Sequence, residues 1–102
     1  MKIVRIRPLE DCLDDSNTKE VLFDHPVDRT FILYLGEAGE LQYFPNFARP
    51  FFRLDVPDLF VFKGVEGNLT SRIIFNQSQK DQALFRFVSL VESYSLRTIK
   101  QI

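Results

Sequence analysis

Asp24, His25 and Cys12 are the residues of this 102-residue chain whose types could do covalent chemistry. A carboxylate beside an imidazole is how a general base is oriented, and a thiol becomes a nucleophile when a nearby histidine lowers its pKa. The segment runs Asp24-His25-Pro26, with Asp28 following. Neighbours in an extended chain point to opposite sides, so spacing alone does not aim Asp24 at His25. His25 therefore reads as a turn residue ahead of a proline, and Cys12 as a partly buried, inert thiol. An enzyme using these three would need all of them in one cleft, and no catalytic residue is assigned.

Metal and phosphate chemistry has as little support. Zinc is held by sets of Cys and His at short spacings, and one residue of each makes no such set. Asp11, Asp14 and Asp15 offer oxygen ligands but lack the glycine and terminal glutamate of a calcium loop, so they read as a solvated acidic turn. Gly36-Glu37-Ala38-Gly39 and Gly64-Val65-Glu66-Gly67 have neither the glycine spacing nor the Lys-Ser/Thr pair of a phosphate loop, and read as hairpin turns. No metal and no cofactor is assigned.

The stretch YFPNFARPFF, residues 43–52, points to binding. Phe44 and Phe52 read as core, with Pro45 and Pro50 shaping the connection between two strands at positions that cannot donate ladder hydrogen bonds. Tyr43, Phe47, Arg49, Phe51 and Arg53 are then left over, and aromatic rings beside arginine are enriched at the centres of protein interfaces. These five form the candidate partner- or ligand-binding set. The same types can stack single-stranded bases. The formal charge of −1, from 13 basic and 14 acidic residues, supplies no electrostatic funnel, however, which argues against nucleic acid and an anionic membrane.

Composition sets the frame for these sites. With 45% hydrophobic and 26% charged residues the chain has a globular balance, which excludes a disordered polymer. Residues 1–102 are expected to form one globular domain, with a sheet over about 31–75 and a helix over about 79–95. A single cysteine permits no intrachain disulfide, and the first twelve residues lack the apolar run of a signal peptide, so a reducing cytoplasm is the expected setting. No apolar run approaches the ~18 residues of a membrane-spanning helix.

The elements that must position the candidates follow from periodicity. KIVRIR, ended by Pro8, predicts a first strand, and residues 9–29 predict one or two helical turns on Leu9, Cys12 and Leu13 followed by loop. TFILYL and LQYF predict a hairpin around Gly36 and Gly39; FFRLDV, DLFVFK and LTSRIIF predict three more strands, joined by connections too short for parallel crossovers. Phe52, Leu54 and Val56 alternate with Phe51, Arg53 and Asp55, so that strand has one buried face. The strands around Phe31, Phe60 and Ile73 are apolar on both faces and belong inside the sheet.

The last helix is the clearest element. Ser78 and Asp81 resemble a capping box, and Leu84, Phe87, Val88, Val91 and Tyr94 fall on one face, flanked by Phe85 and Leu90. Residues 96–102 could continue this helix, form a strand or dock on a partner. The predicted class is α+β: a largely antiparallel sheet of five or six strands, curled or packed on a partner, with one C-terminal amphipathic helix on one face. The predicted function is non-enzymatic binding of another protein or of a second copy as a homodimer. The alternative is a small apolar ligand held in a Phe-lined cavity between sheet and helix.

Overall fold

The computed structural model describes residues 1–8 and 18–100, the side chains of 97–100 excepted. The elements are β1 (Ile3–Pro8), β2 (Thr18–Phe23), α1 (Arg29–Leu35), β3 (Glu40–Phe44), β4 (Phe51–Val56), β5 (Phe60–Val65), β6 (Thr70–Phe75) and, after a 3-10 turn at Gln77–Gln79, α2 (Lys80–Lys100). The six strands form one antiparallel sheet in the order β1-β2-β6-β5-β4-β3. The fold is α+β, and the sheet is open, with β1 and β3 as its edges.

Alternation decides which face each strand buries. Phe52, Leu54 and Val56 of β4, Phe60 and Phe62 of β5, and Ile73 and Phe75 of β6 are buried, while Phe51, Arg53 and Arg72 on the opposite parity are exposed. β5 and β6 do lie inside the sheet, but the second faces of Val61 and Ile74 are only half-covered. Both helices sit on the buried face. The Phe87 ring of α2 lies 4.9 Å from Phe62 and 5.7 Å from Phe60, and Phe31 of α1 lies 5.8 Å from Phe23 of β2. Fully burying one such side chain is worth ~1.5–3 kcal/mol, so this ring-on-ring layer is the main source of cohesion.

The TFILYL segment is helical, which corrects the expected first strand of a hairpin. The Asp28 side chain accepts from the Phe31 N–H at 2.8 Å and caps the first turn, and Phe31, Ile32, Tyr34 and Leu35 are buried while Leu33 faces solvent. An unbroken apolar run fits a buried strand and a short buried helix equally well, and here the cap decides. Gly36 ends this helix rather than turning a hairpin, its N–H reaching the Leu33 carbonyl at 3.2 Å. The strand expected at KIVRIR is β1, so the sheet runs from Ile3 and not only from about residue 31, and it gains β2 from the acidic segment expected to be loop. The expected helical turns on Leu9, Cys12 and Leu13 lie outside the described residues.

α2 is longer than expected and rotated. Its buried stripe is Ala83, Phe87 and Val91, with Leu90 and Tyr94 partly covered, so Leu84 and Phe85 face solvent. The capping group before it is Asn76, whose Oδ1 accepts from the Ser78 N–H at 2.9 Å, in place of the expected Ser78 box. Tyr34 ties the two helices by donating to the Leu90 carbonyl at 2.7 Å. The helix runs on to Lys100, and the end of the tail lies outside the described residues.

Candidate functional site

The strand registers order the face that the helices leave open into three rows across the sheet. Phe44, Phe51, Val65, Thr70, Leu22 and Arg5 form an apolar row with a basic end. Beside it run Gln42, Arg53, Lys63, Arg72, Glu20 and Arg7. Glu40, Asp55, Val61, Ile74 and Thr18 make the third. The middle row sets three cations directly opposite one another on β4, β5 and β6. Like charges so placed repel, and the sheet ladder holds them there. Glu20, next in line, is already engaged by Arg7 at 2.8 Å. Among the described residues no carboxylate forms an ion pair with Arg53, Lys63 or Arg72.

One corner of this face is aromatic. Phe44 and Phe51 stack at 4.7 Å, and Phe47 folds back from the β3–β4 connection to lie 5.8 Å from the first ring and 5.4 Å from the second. Phe47 is 58% exposed, and Arg49 in the same connection is exposed. The candidate set is thus divided. Phe47, Phe51 and Arg53 share the open face with Arg49 close in sequence, whereas Tyr43 pairs with Phe52 and points to the helix side. Its hydroxyl donates to the Glu66 carboxylate, and this bond, before burial, raises the Tyr43 pKa above the ordinary tyrosine value. Phe44, expected in the core, is instead half-buried in the surface cluster. Parity explains the exchange, because the register that puts Phe52 inside puts Tyr43 there too.

Glu66 braces the corner. Its N–H donates to the Pro50 carbonyl at 2.8 Å while its carboxylate accepts the Tyr43 hydroxyl hydrogen bond, so the β5–β6 turn holds both ends of the β3–β4 connection. Gly67 makes this turn possible with φ +92°, where side chains are strained, and its N–H reaches the Val27 carbonyl at 2.7 Å. Gly64, expected in the same turn, lies within β5.

The centre of the open face is concave. A depression of about 530 Å³ is lined by Arg53, Lys63 and Arg72, with Phe51 and Val65 on one side and Glu20 at its end. Lys63 and Arg72 carry no signal in the linear sequence. They become neighbours of Arg53 only when the strands are registered.

Asp24 and His25 do meet, contrary to the expectation from an extended chain, with Nδ1 and Oδ1 2.9 Å apart. The same carboxylate accepts from the Lys2 N–H at 2.7 Å. The His25 hydrogen bond first, and the Lys2 N–H second, lower the Asp24 pKa from 3.8 to about 2. The pair sits at an exposed turn where Asp24 also fastens β1, since its own N–H bonds the Lys2 carbonyl at 3.0 Å. Cys12, Asp11, Asp14 and Asp15 lie outside the described residues. Among the described residues, no three His, Cys, Asp or Glu side chains converge as a metal set.

These features define a class: an α+β chain with a basic-and-aromatic antiparallel face that, among the described residues, neither helix covers, opposite a two-helix layer. No helix of the described residues is long and apolar enough to cross a membrane. Comparison of the chain with protein-family models, with curated proteins and with solved structures returns no match.

Proposed function

We propose that the chain is a non-enzymatic binding module that docks an unlike protein on the open face of its sheet, anchored at the Phe44–Phe47–Phe51 corner. One observation carries this reading: both helices cover the same side, which leaves a ring cluster with Phe47 58% exposed beside Arg49 and Arg53. Among the described residues the open face presents five basic side chains, Arg5, Arg7, Arg53, Lys63 and Arg72, against three acidic ones, Glu20, Glu40 and Asp55, on a chain whose overall charge is −1. The complementary partner offers an apolar side chain to the rings and carboxylates to the two arginines.

Self-association through this face is the weaker version. A two-fold axis centred on the face brings Lys63 onto its own counterpart and keeps the cationic row against itself. An apolar ligand between sheet and helix has less support, since Phe23, Phe31, Phe52, Phe62 and Phe87 occupy that layer and are all almost fully buried. The proposed setting is the cytoplasm, on the chain's single cysteine.

Native mass spectrometry of the protein from its own cells tests the reading. The expected spectrum holds the 12.0 kDa chain with an unlike chain, and the Phe47→Ala, Arg49→Ala double variant loses that partner while staying folded. A species at twice the chain mass that survives in the variant, or a partner retained by it, overturns the proposal.

A further inference from the structure

We infer that the centre of the open face is a binding site for a small organic phosphate, with its phosphate monoester on Arg53, Lys63 and Arg72 and its apolar body against Phe51 and Val65. The three cations stand opposite one another on consecutive strands, so with strands ~4.8 Å apart they span ~10 Å on a backbone held by ladder hydrogen bonds. Their mutual repulsion is uncompensated within the described residues, since the adjoining Glu20 is bound to Arg7. A dianion relieves it. The depression they line, about 530 Å³, falls within the ~300–1,000 Å³ of small-molecule sites.

The arrangement favours a phosphate over a carboxylate. A monoester presents three acceptor oxygens and close to two negative charges, enough for three cationic donors, whereas a carboxylate is satisfied by one bidentate arginine. It also favours a compact ligand over a nucleic-acid strand. The cationic row ends at Glu20 on β2, and Asp55 and Glu40 lie in the row beside it, so a polyanion extended toward β2 or across the Asp55 row meets a carboxylate within one or two residues. Phe51 and Val65, directly opposite each other in the neighbouring row, supply the apolar wall. Phe51 and Arg53 are common to this site and the proposed partner corner, but Phe47 and Arg49 do not line the depression, so substitutions at those two test the corner alone.

Titration of the full chain with phenyl phosphate, inorganic phosphate and benzoate, read by amide chemical shifts and calorimetry, tests the inference. The expected result is saturable binding of phenyl phosphate at millimolar concentration or below, at least tenfold tighter than benzoate and tighter than inorganic phosphate. Lys63→Gln and Arg72→Gln should each weaken it about tenfold, the scale of one lost charge-assisted hydrogen bond. Phe51→Ala should abolish the preference for phenyl phosphate over inorganic phosphate. The Phe47→Ala, Arg49→Ala variant should bind as the wild type does, which keeps failure here distinct from failure of the partner reading. No saturable shift, equal binding of benzoate, equal binding of inorganic phosphate, unchanged affinity in a folded Lys63→Gln chain, or tighter binding of a thymidine oligonucleotide would each overturn it.

Discussion

Phe44 and Phe51 face each other across β3 and β4 with rings stacked at 4.7 Å and 27°, on the side of the sheet that neither helix touches. A stacked pair in this position holds the edge strand against its neighbour as well as making a surface. Aromatic pairs contribute ~0.5–1.5 kcal/mol beyond the area they bury. A double-mutant cycle of Phe44→Ala and Phe51→Ala, followed by urea denaturation, should therefore give a coupling energy of about 1 kcal/mol. Phe47 lies mostly in solvent, and its replacement by Ala should change stability by less than ~0.5 kcal/mol. A large loss in Phe47→Ala would mean that the corner serves the fold rather than a partner.

The cationic row makes a separate prediction about the free protein. Lys63 stands between Arg53 and Arg72, so Lys63→Gln removes two directly opposed repulsions and should raise stability by ~0.5 kcal/mol. Salt screens the same repulsion. Thermal melts should show the wild type gaining stability as salt rises from low to physiological strength, with the gain reduced in the variant. A stabilising substitution that weakens phosphate binding is the signature of a charge kept for a ligand, whereas a destabilising one would show that Lys63 has a structural partner.

Asp24 links stability to acid pH. Its folded pKa of about 2 lies below the ordinary 3.8, so the contribution is complete above 3.8 and is lost as pH falls through about 2. Asp24→Asn lacks this dependence. Melting temperatures of the two proteins should differ above pH 4 and draw together toward pH 2. In His25→Ala, which removes the larger cause, the Asp24 carboxyl followed by NMR should titrate closer to its ordinary value.

How much of this could be read beforehand depends on whether local pattern or strand register decides. β4 was readable because Phe52, Leu54 and Val56 alternate strictly with polar neighbours, and α2 because its apolar residues recur at helical spacing. α1 was not, since a run of apolar residues satisfies either period and only the Asp28 cap separates them. The face exchange of Tyr43 and Phe44 depends on how many residues the β3–β4 connection consumes, and one residue reverses every side chain of an edge strand. The row of Arg53, Lys63 and Arg72 is spread over nearly 20 residues of sequence and exists only through pairing.

Gly39 is a position where the backbone leaves no room. A Cβ there would lie 2.4 Å from the Asp55 carbonyl oxygen, and main chain cannot swing aside as a side chain can. Gly39→Ala should cost about 2 kcal/mol, within the ~1–3 kcal/mol typical of overpacking, and should loosen β3 first. Hydrogen exchange should show the β3 amides losing protection while those of β6 keep theirs. Gly36→Ala, whose Cβ would meet its nearest neighbour at 3.3 Å, should be much milder.

Gly64 and Ser71 share one space between β5 and β6. They are cross-strand partners on the helix side, and a Cβ on Gly64 would lie 2.6 Å from the Ser71 Oγ and 3.0 Å from its Cβ. The Ser71 hydroxyl is buried with no hydrogen-bond partner among the described residues, so it brings a desolvation penalty while filling the gap. Ser71→Ala should therefore raise stability by about 1 kcal/mol. Gly64→Ala alone should lower it by about 2 kcal/mol, as the new methyl meets the hydroxyl. Exchanging the two, Gly64→Ala with Ser71→Gly, moves the side chain from one strand to the other and should recover most of that loss. Urea denaturation of the wild type, Gly64→Ala, Ser71→Gly and the double variant gives the coupling directly, and additive effects would show that the crowding is relieved by movement of the Phe52 ring, whose nearest atom is 3.2 Å from the same Cβ position.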